Sequence, residues 1–292
     1  MALAKIIVPL AAGADPTTAL ELARRAAQLT SGRIEAMCVG PDALLMLKAA
    51  VGPDVHLWTA NMMPGLSAAA AKQRATSRAC FDDWMAKRGL SAQPELDHEG
   101  WRPGVKWTDH DGDMELLVSQ LARFGELIVL DGASLRGPDV VAGFSVLEAA
   151  LFDAKRPVLV APGNGEPGLD RGALIAWDGS GEALHALSAA LPILNRGART
   201  TLLTLGAPQA HDPVGEAALL DWLACYGVLP ERRFAKAPAG NAGRELLNQA
   251  AQCEADLIVM GAYTHSRLRE SVFGGTTRFV LEHSEIPVLL AH

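Results

Sequence analysis

One part of this sequence is written a second time further along the chain, and no other feature constrains the fold as strongly. Glu126-Leu127-Ile128-Val129-Leu130 is matched by Asp256-Leu257-Ile258-Val259-Met260, and Pro157-Val158-Leu159-Val160 by Pro287-Val288-Leu289-Leu290, with equal spacing between the two segments in each copy. An acidic residue leads an apolar run, and a proline-led apolar run closes the unit. The beginnings match too. Lys5-Ile6-Ile7-Val8-Pro9-Leu10 and Ala173-Leu174-Ile175-Ala176-Trp177 are short apolar runs, each followed by turn residues and a helical pattern. The helical spacing of Leu20, Ala23 and Ala27 predicts a helix from about Thr17 to Thr30, and that of Leu184, Leu187 and Leu191 one from about Gly181 to Leu194.

Strands that alternate with helices predict parallel sheets covered on both faces. Right-handed crossovers turn each copy into a doubly wound, Rossmann-like α/β domain. The 292-residue length suits two such domains at roughly 100–200 residues each. Their bounds read as 1–162 and 169–292, joined by the Gly/Pro-rich segment Ala161-Pro162-Gly163-Asn164-Gly165-Glu166-Pro167-Gly168, with the next strand starting near Arg171. The first copy is longer by an insertion at about 41–66, which leads into a helix from about Ser67 to Arg88. That insertion carries Met46, Trp58, Met62 and Met63, which suit either a lid packed on its own domain or the cover of an apolar ligand.

Composition narrows the function classes. A net charge of −7 and the lack of a basic face disfavour nucleic acid and anionic membranes. The apolar runs fall short of the ~18 residues that a membrane span needs, and the amino-terminal segment lacks the features of a signal peptide. The four cysteines, Cys38, Cys80, Cys225 and Cys253, have no CxxC spacing and read as reduced, mostly buried thiols of a cytoplasmic protein.

Some apparent motifs dissolve in context. Gly163-x-Gly165-x-x-Gly168 spells a dinucleotide fingerprint, but a strand rather than a helix follows it. Asp109-His110-Asp111-Gly112-Asp113 reads as the cap of the helix that holds Leu116, Leu117 and Leu121, rather than a cation loop. Trp101 and Trp107 read as packing, and His185 as a packed or half-exposed histidine. No nucleophile–base pair stands out.

In doubly wound domains ligands bind beyond the carboxyl ends of the strands, which here means after Trp177, Leu205 and Met260. After Met260 comes Gly261-Ala262-Tyr263-Thr264-His265-Ser266-Arg267-Leu268-Arg269-Glu270-Ser271-Val272-Phe273-Gly274-Gly275-Thr276-Thr277, which leads into a helix from about Thr276 to His283. Glycines and hydroxyls at a helix start expose backbone N–H groups, and the helix dipole adds to their pull on a phosphate. This strand, loop and helix resemble the universal stress proteins, whose ATP-binding members carry G-x2-G-x9-G-[S/T]. Gly261 and Gly274 match the first and third glycines; Thr264 stands at the second, Gly275 at the [S/T] position, and Thr277 at a hydroxyl that often follows.

The resemblance implies two tandem domains of the adenine-nucleotide α-hydrolase-like fold. The second would hold ATP or another adenine nucleotide, with or without Mg, through Asp178, Leu205, Met260, Gly261, Thr264, Gly274, Gly275, Thr276 and Thr277. In the first copy Ala11 takes the place of Asp178, and Asp131, Ser134 and Phe144 take the places of the three glycines, so no ATP is expected there. Members of the family commonly dimerise through their last strands. The resemblance therefore implies that the strands at Pro157–Val160 and Pro287–Leu290 pair into an intrachain pseudo-dimer, with a further homodimer left open. Hydrolysis in the family is slow or absent, so the chain reads as a stress-response protein and not as an enzyme. Two other readings stay open. One is a nucleotide-independent sensing or interaction module. The other is an ATP-using enzyme of the wider fold, although Asp178-Gly179-Ser180-Gly181 lacks the Ser-Gly-Gly-x-Asp-Ser loop of such enzymes.

Overall fold

The computed structural model describes residues 3–51, 59–90, 104–136, 140–163, 167–195, 197, 199–206, 213–237, 241–262 and 274–292. In the first half, β1 (Lys5–Ala11), α1 (Thr17–Thr30) and β2 (Arg33–Gly40) are followed by the inserted helices α2 (Ala43–Val51) and α3 (Thr59–Lys87). Then come β3 (Val105–Asp111), α4 (Met114–Leu121), β4 (Leu127–Leu130), α5 (Val140–Glu148) and β5 (Val158–Val160). The second half runs β6 (Gly172–Ala176), α6 (Gly181–Leu194), β7 (Arg199–Leu205), α7 (Pro213–Cys225), β8 (Glu231–Ala235), α8 (Ala242–Gln252), β9 (Leu257–Gly261), α9 (Gly275–His283) and β10 (Val288–Ala291). The two expected first helices have the observed bounds.

All ten strands lie in one sheet, in the order β3-β2-β1-β4-β5-β10-β9-β6-β7-β8. Within each half the pairing is parallel. At the centre β5 and β10 pair antiparallel, Val288 opposite Val160, Leu289 opposite Leu159 and Leu290 opposite Val158. None of these six side chains is more than 2 % exposed. Alone, either strand would present an apolar edge with open backbone groups. The apolar layers on both faces of the sheet cross the junction. One joins Leu20, Phe81 and Trp84 to Leu187, Leu191 and Leu223, and the other joins Met37, Leu135 and Leu147 to Leu246, Val280 and Leu281.

The repeated acidic residue has a local job. Asp256 is 1 % exposed, and its carboxylate accepts from the backbone N–H groups of Asp170, Arg171 and Gly172, which tethers the entry of β6. Glu126 does the same at the entry of β1, accepting from Lys5 N at 2.6 Å.

The insertion departs from the sequence reading. Its long helix begins at Thr59, not near Ser67, and runs through Pro64. Pro64 is past the first four N–H groups, which have no partner within a helix, so it costs one intrahelical hydrogen bond. Downstream, Ala70, Ser77, Phe81, Trp84 and Met85 are buried and hold the helix in place. Phe81 packs on Trp107 with ring centroids 4.8 Å apart. Met46 and Met62 remain 45 % and 38 % exposed, while Trp58 and Trp101 lie outside the described residues.

The aspartate cluster is a second correction. Only Asp113 caps α4, accepting from Leu116 N at 2.9 Å; Asp109 and Asp111 belong to β3. Of the four free cysteines only Cys38 is buried, Cys80 and Cys253 are half-buried, and Cys225 is exposed. Burial and the neighbouring Asp109 push the Cys38 thiol up to about 11, which leaves it unreactive. No helix among the described residues is long and apolar enough to cross a membrane.

Glu21 of α1 ties the insertion down. Burial alone would raise its pKa, but hydrogen bonds and charge from Arg24 and Arg88 outweigh it and hold the carboxyl at about 2. Arg88, just past α3, donates to it at 2.6 Å. A carboxyl depressed in the folded state contributes stability that is full above its unfolded pKa of ~4.3 and is lost as pH falls toward the folded value. Glu21→Gln is therefore expected to lower stability at pH 7 and to flatten the fall between about pH 4 and pH 2, read from denaturant melts across pH. At the sheet junction, Leu289→Ala is expected to cost ~2–5 kcal/mol in the same melts.

Candidate functional site

The carboxyl ends of β9, β6 and β7 lie side by side at one end of the second half, and the sequence-derived residues gather there. Asp178 follows β6, Leu205 ends β7, and Met260 and Gly261 end β9. Gly274, Gly275, Thr276 and Thr277 form the N-cap and first turn of α9. Thr264 and His265 lie outside the described residues.

Each residue has a definable state. The Asp178 Oδ1 accepts from Ser180 N at 3.0 Å and from Ser180 Oγ at 2.6 Å, a turn that places Ser180 to cap α6 through Ala183 N. Met260 is buried. Gly261 is required for packing: a Cβ there would lie 2.6 Å from Ala183 N and 3.0 Å from Glu182 Cβ, so the bare backbone lets the start of α6 close onto β9. Gly274 and Gly275 are the opposite case, since a Cβ on either meets nothing within 4 Å among the described residues. No side chain caps α9. Thr277 is 5 % exposed, so of the two threonines Thr276 is the one left at the surface.

In the first half the equivalent end of the sheet is filled. The inserted α3 lies over the ends of β1, β2 and β3. Ser77 Oγ accepts from Gly13 N at 2.8 Å, Arg74 pairs with Asp111, and a Cβ on Gly40 would run into the Arg74 guanidinium at 2.6 Å. Phe144 is not at a helix entrance; it lies inside α5 and is 7 % exposed. A Cβ on the preceding Gly143 would fall 2.1 Å from Ser134 O, so α5 is pressed against the turn that follows β4. Asp131 sits where the second half has Gly261. Burial raises its pKa against the pull of the Ala133 N–H, and the Asp15 carboxylate raises it further. Two neighbouring carboxylates oppose a phosphate.

The first half instead grips α9. Arg136 Nε donates to Leu281 O at 3.1 Å, and its Nη2 donates to Ser284 O, so one guanidinium binds carbonyls at the C-terminal end of that helix. At the other end of α9 the Arg278 guanidinium lies 5.4 Å from the Phe144 ring centroid. Sequence reading missed Arg136, which belongs to no motif; its only signal is a basic residue in a copy of the loop that has lost its glycines. Among the described residues no three His, Cys, Asp or Glu side chains gather as a metal site.

Residues 231–292 match the sequence model of the universal stress protein family. Across the whole length the structure is similar to solved proteins. A universal stress protein from Archaeoglobus fulgidus DSM 4304 is 16% identical, with 99% of this chain and 96% of that one covered at a TM-score of 0.63. A protein from Pseudomonas aeruginosa UCBPP-PA14 described as a universal stress protein is 17% identical, with 99% and 93% covered at 0.59. A protein of unknown function from Pseudomonas aeruginosa PAO1 is 18% identical, with 99% and 92% covered at 0.60. At these identities the likeness speaks for the fold. No curated protein matches in sequence.

Gly261→Ala is expected to cost ~1–3 kcal/mol of stability, because the methyl meets backbone rather than a yielding side chain. Arg136→Ala is expected to cost ~1.5–3 kcal/mol, with Arg136→Lys restoring part of it, since an ammonium cannot reproduce the fork. Thermal melts of the three variants check both.

Proposed function

We propose, from the match of residues 231–292 to the universal stress protein family model and the fold that both halves share with solved universal stress proteins, that the chain is a tandem member of that family whose second domain, 169–292, holds one adenine nucleotide while the first, 1–162, is its nucleotide-free partner. The nucleoside lies over the ends of β6 and β7, against Asp178 and the backbone at Leu205. The phosphates lie at the start of α9, against the N–H groups of Gly275 and Thr276. The observation that carries this reading is the contrast between the two helix starts. Among the described residues, no side chain caps α9 and nothing lies within 4 Å of a Cβ placed on Gly274 or Gly275. The turn after β4 in the first half is closed by α5, which Gly143 brings onto Ser134, with the Asp131 and Asp15 carboxylates beside it.

The pull on a phosphate comes from the backbone donors and the helix dipole. The N-terminal domain supports the site from outside through Arg136 and Phe144, so the two halves act as a pseudo-dimer in which one member has given up its ligand. No residue is assigned to bond cleavage. The protein works as a nucleotide-responsive element of a cytoplasmic stress response, acting through conformation and partners.

Protein purified natively, denatured and examined by mass spectrometry is expected to release about one adenine nucleotide per chain, and the emptied protein to bind Mg-ATP in calorimetry. Gly274 has φ −57 and open surroundings, so a valine is accepted by the fold and projects into the phosphate space. Gly274→Val and Asp178→Ala are expected to weaken binding at least tenfold, about 1.4 kcal/mol, and Asp131→Ala to leave it unchanged. No released nucleotide and no heat at millimolar Mg-ATP would overturn the reading.

A further inference from the structure

A cleft lies where the two halves meet, lined by none of the residues assigned to the nucleotide. One cavity of about 390 Å³ is lined by Leu151, Phe152 and Lys155 from the first half and by Gly181, Glu182, His185 and His292 from the second. A second, of about 360 Å³, shares Lys155, His185 and His292 with it and continues past Pro157, Ala189 and Pro192. The shared residues make these one cleft, within the size range of small-molecule sites, roughly 300–1,000 Å³. Neither half has it alone.

Its charged groups are uncommitted. Lys155 and Glu182 each make no hydrogen bond or ion pair among the described residues, although both line the first cavity. They face it from opposite halves and are not paired with each other. The other polar groups have partners. Glu126 accepts from Lys5 N at 2.6 Å, and Arg156 Nε donates to Arg123 O at 2.9 Å. His185 Nδ1 lies 3.3 Å from His292 O, and His292 Nδ1 lies 3.2 Å from Ala262 O. The His292 ring also packs edge-on against Phe152, with centroids 4.6 Å apart, which joins the two walls.

We propose that this cleft is a binding site for a small zwitterion with an apolar body, of the class of the apolar α-amino acids. The ligand carboxylate pairs with the Lys155 ammonium near the positive end of α6, which Gly181 begins. The ligand ammonium pairs with the Glu182 carboxylate. The side chain lies along Leu151 and Phe152 and extends toward Pro157 and Pro192. Charge decides between ligand classes. Lys155 is exposed and Glu182 half-buried, so a simple anion would meet Lys155 and leave Glu182 facing it without a partner, a simple cation would do the reverse, and a neutral apolar molecule would pair with neither. Only a ligand that carries both charges close together satisfies the two at once and adds no net charge. The inference does not rest on the nucleotide reading, since none of its residues belongs to that site.

The test is calorimetry and thermal shift on the full chain with phenylalanine and leucine, beside phenethylamine, which lacks the carboxylate, and 3-phenylpropionate, which lacks the ammonium. The amino acids are expected to bind and to raise the melting temperature, and each truncated analogue to bind at least tenfold more weakly than phenylalanine. Lys155→Met is expected to weaken phenylalanine tenfold or more while leaving phenethylamine unchanged, and Glu182→Gln to weaken phenylalanine while leaving 3-phenylpropionate unchanged. Neither side chain holds another residue in place, so both variants are expected to fold, which circular dichroism checks. Absence of binding by either amino acid at millimolar concentration overturns the proposal, as does equal binding by a truncated analogue or indifference to both substitutions. Mg-ATP titrated into Lys155→Met, which lies in the other half from the residues assigned to the nucleotide, is expected to bind as in the parent, so loss of amino-acid binding is told apart from failure of the nucleotide reading.

Discussion

The antiparallel ladder between β5 and β10 is the constraint on which the rest of this molecule depends. Three residues from each strand close what would be two apolar sheet edges and turn two domains into one ten-stranded sheet. Because the pairing is antiparallel, the carboxyl ends of the strands in one half point opposite to those in the other. The top of the second half therefore meets the bottom of the first along the seam. That arrangement brings the turn carrying Lys155 and Phe152 next to the start of α6, and it places Arg136 within reach of the carbonyls at the end of α9.

The two halves differ most at the carboxyl ends of their strands, and packing explains how. In the second half Gly261 lets α6 close onto β9, while Gly274 and Gly275 leave the start of α9 open. In the first half the glycines are gone, α5 starts before the position of Phe144, and Gly143 brings α5 onto the turn after β4. The insertion completes the closure from above, with Arg74 and Ser77 over the strand ends. What the first half lost as a pocket it gained as a surface that grips its neighbour.

The repeat was legible in the sequence because its strands are buried on both sides and must stay apolar, and because Glu126 and Asp256 each tether a strand entry. The first helices were legible to the residue, since turn and capping chemistry at Asp15, Ser31 and Ser180 marks their ends. The start of α3 was not, because Pro64 suggests a boundary that tertiary burial farther along the helix overrides. The aspartate run was only partly legible: strand pairing with β2 carries β3 through Asp111, which local capping preference does not foresee. Positions such as Asp178 and Gly274 could be named from the family resemblance, but the contacts of Arg136 and Phe144 with α9 join the two halves, which no local pattern encodes.

Two identical subunits that meet across a two-fold axis must present the same residues to each other, so neither can specialise without the other changing too. Here the facing strands belong to one chain, and the symmetry is only approximate. Phe144 can thus serve as a wall on one side while Gly274 stays bare on the other. Covalent linkage also removes concentration from the equilibrium. The partner is present at an effective concentration set by the linker, and dilution does not part it from its mate.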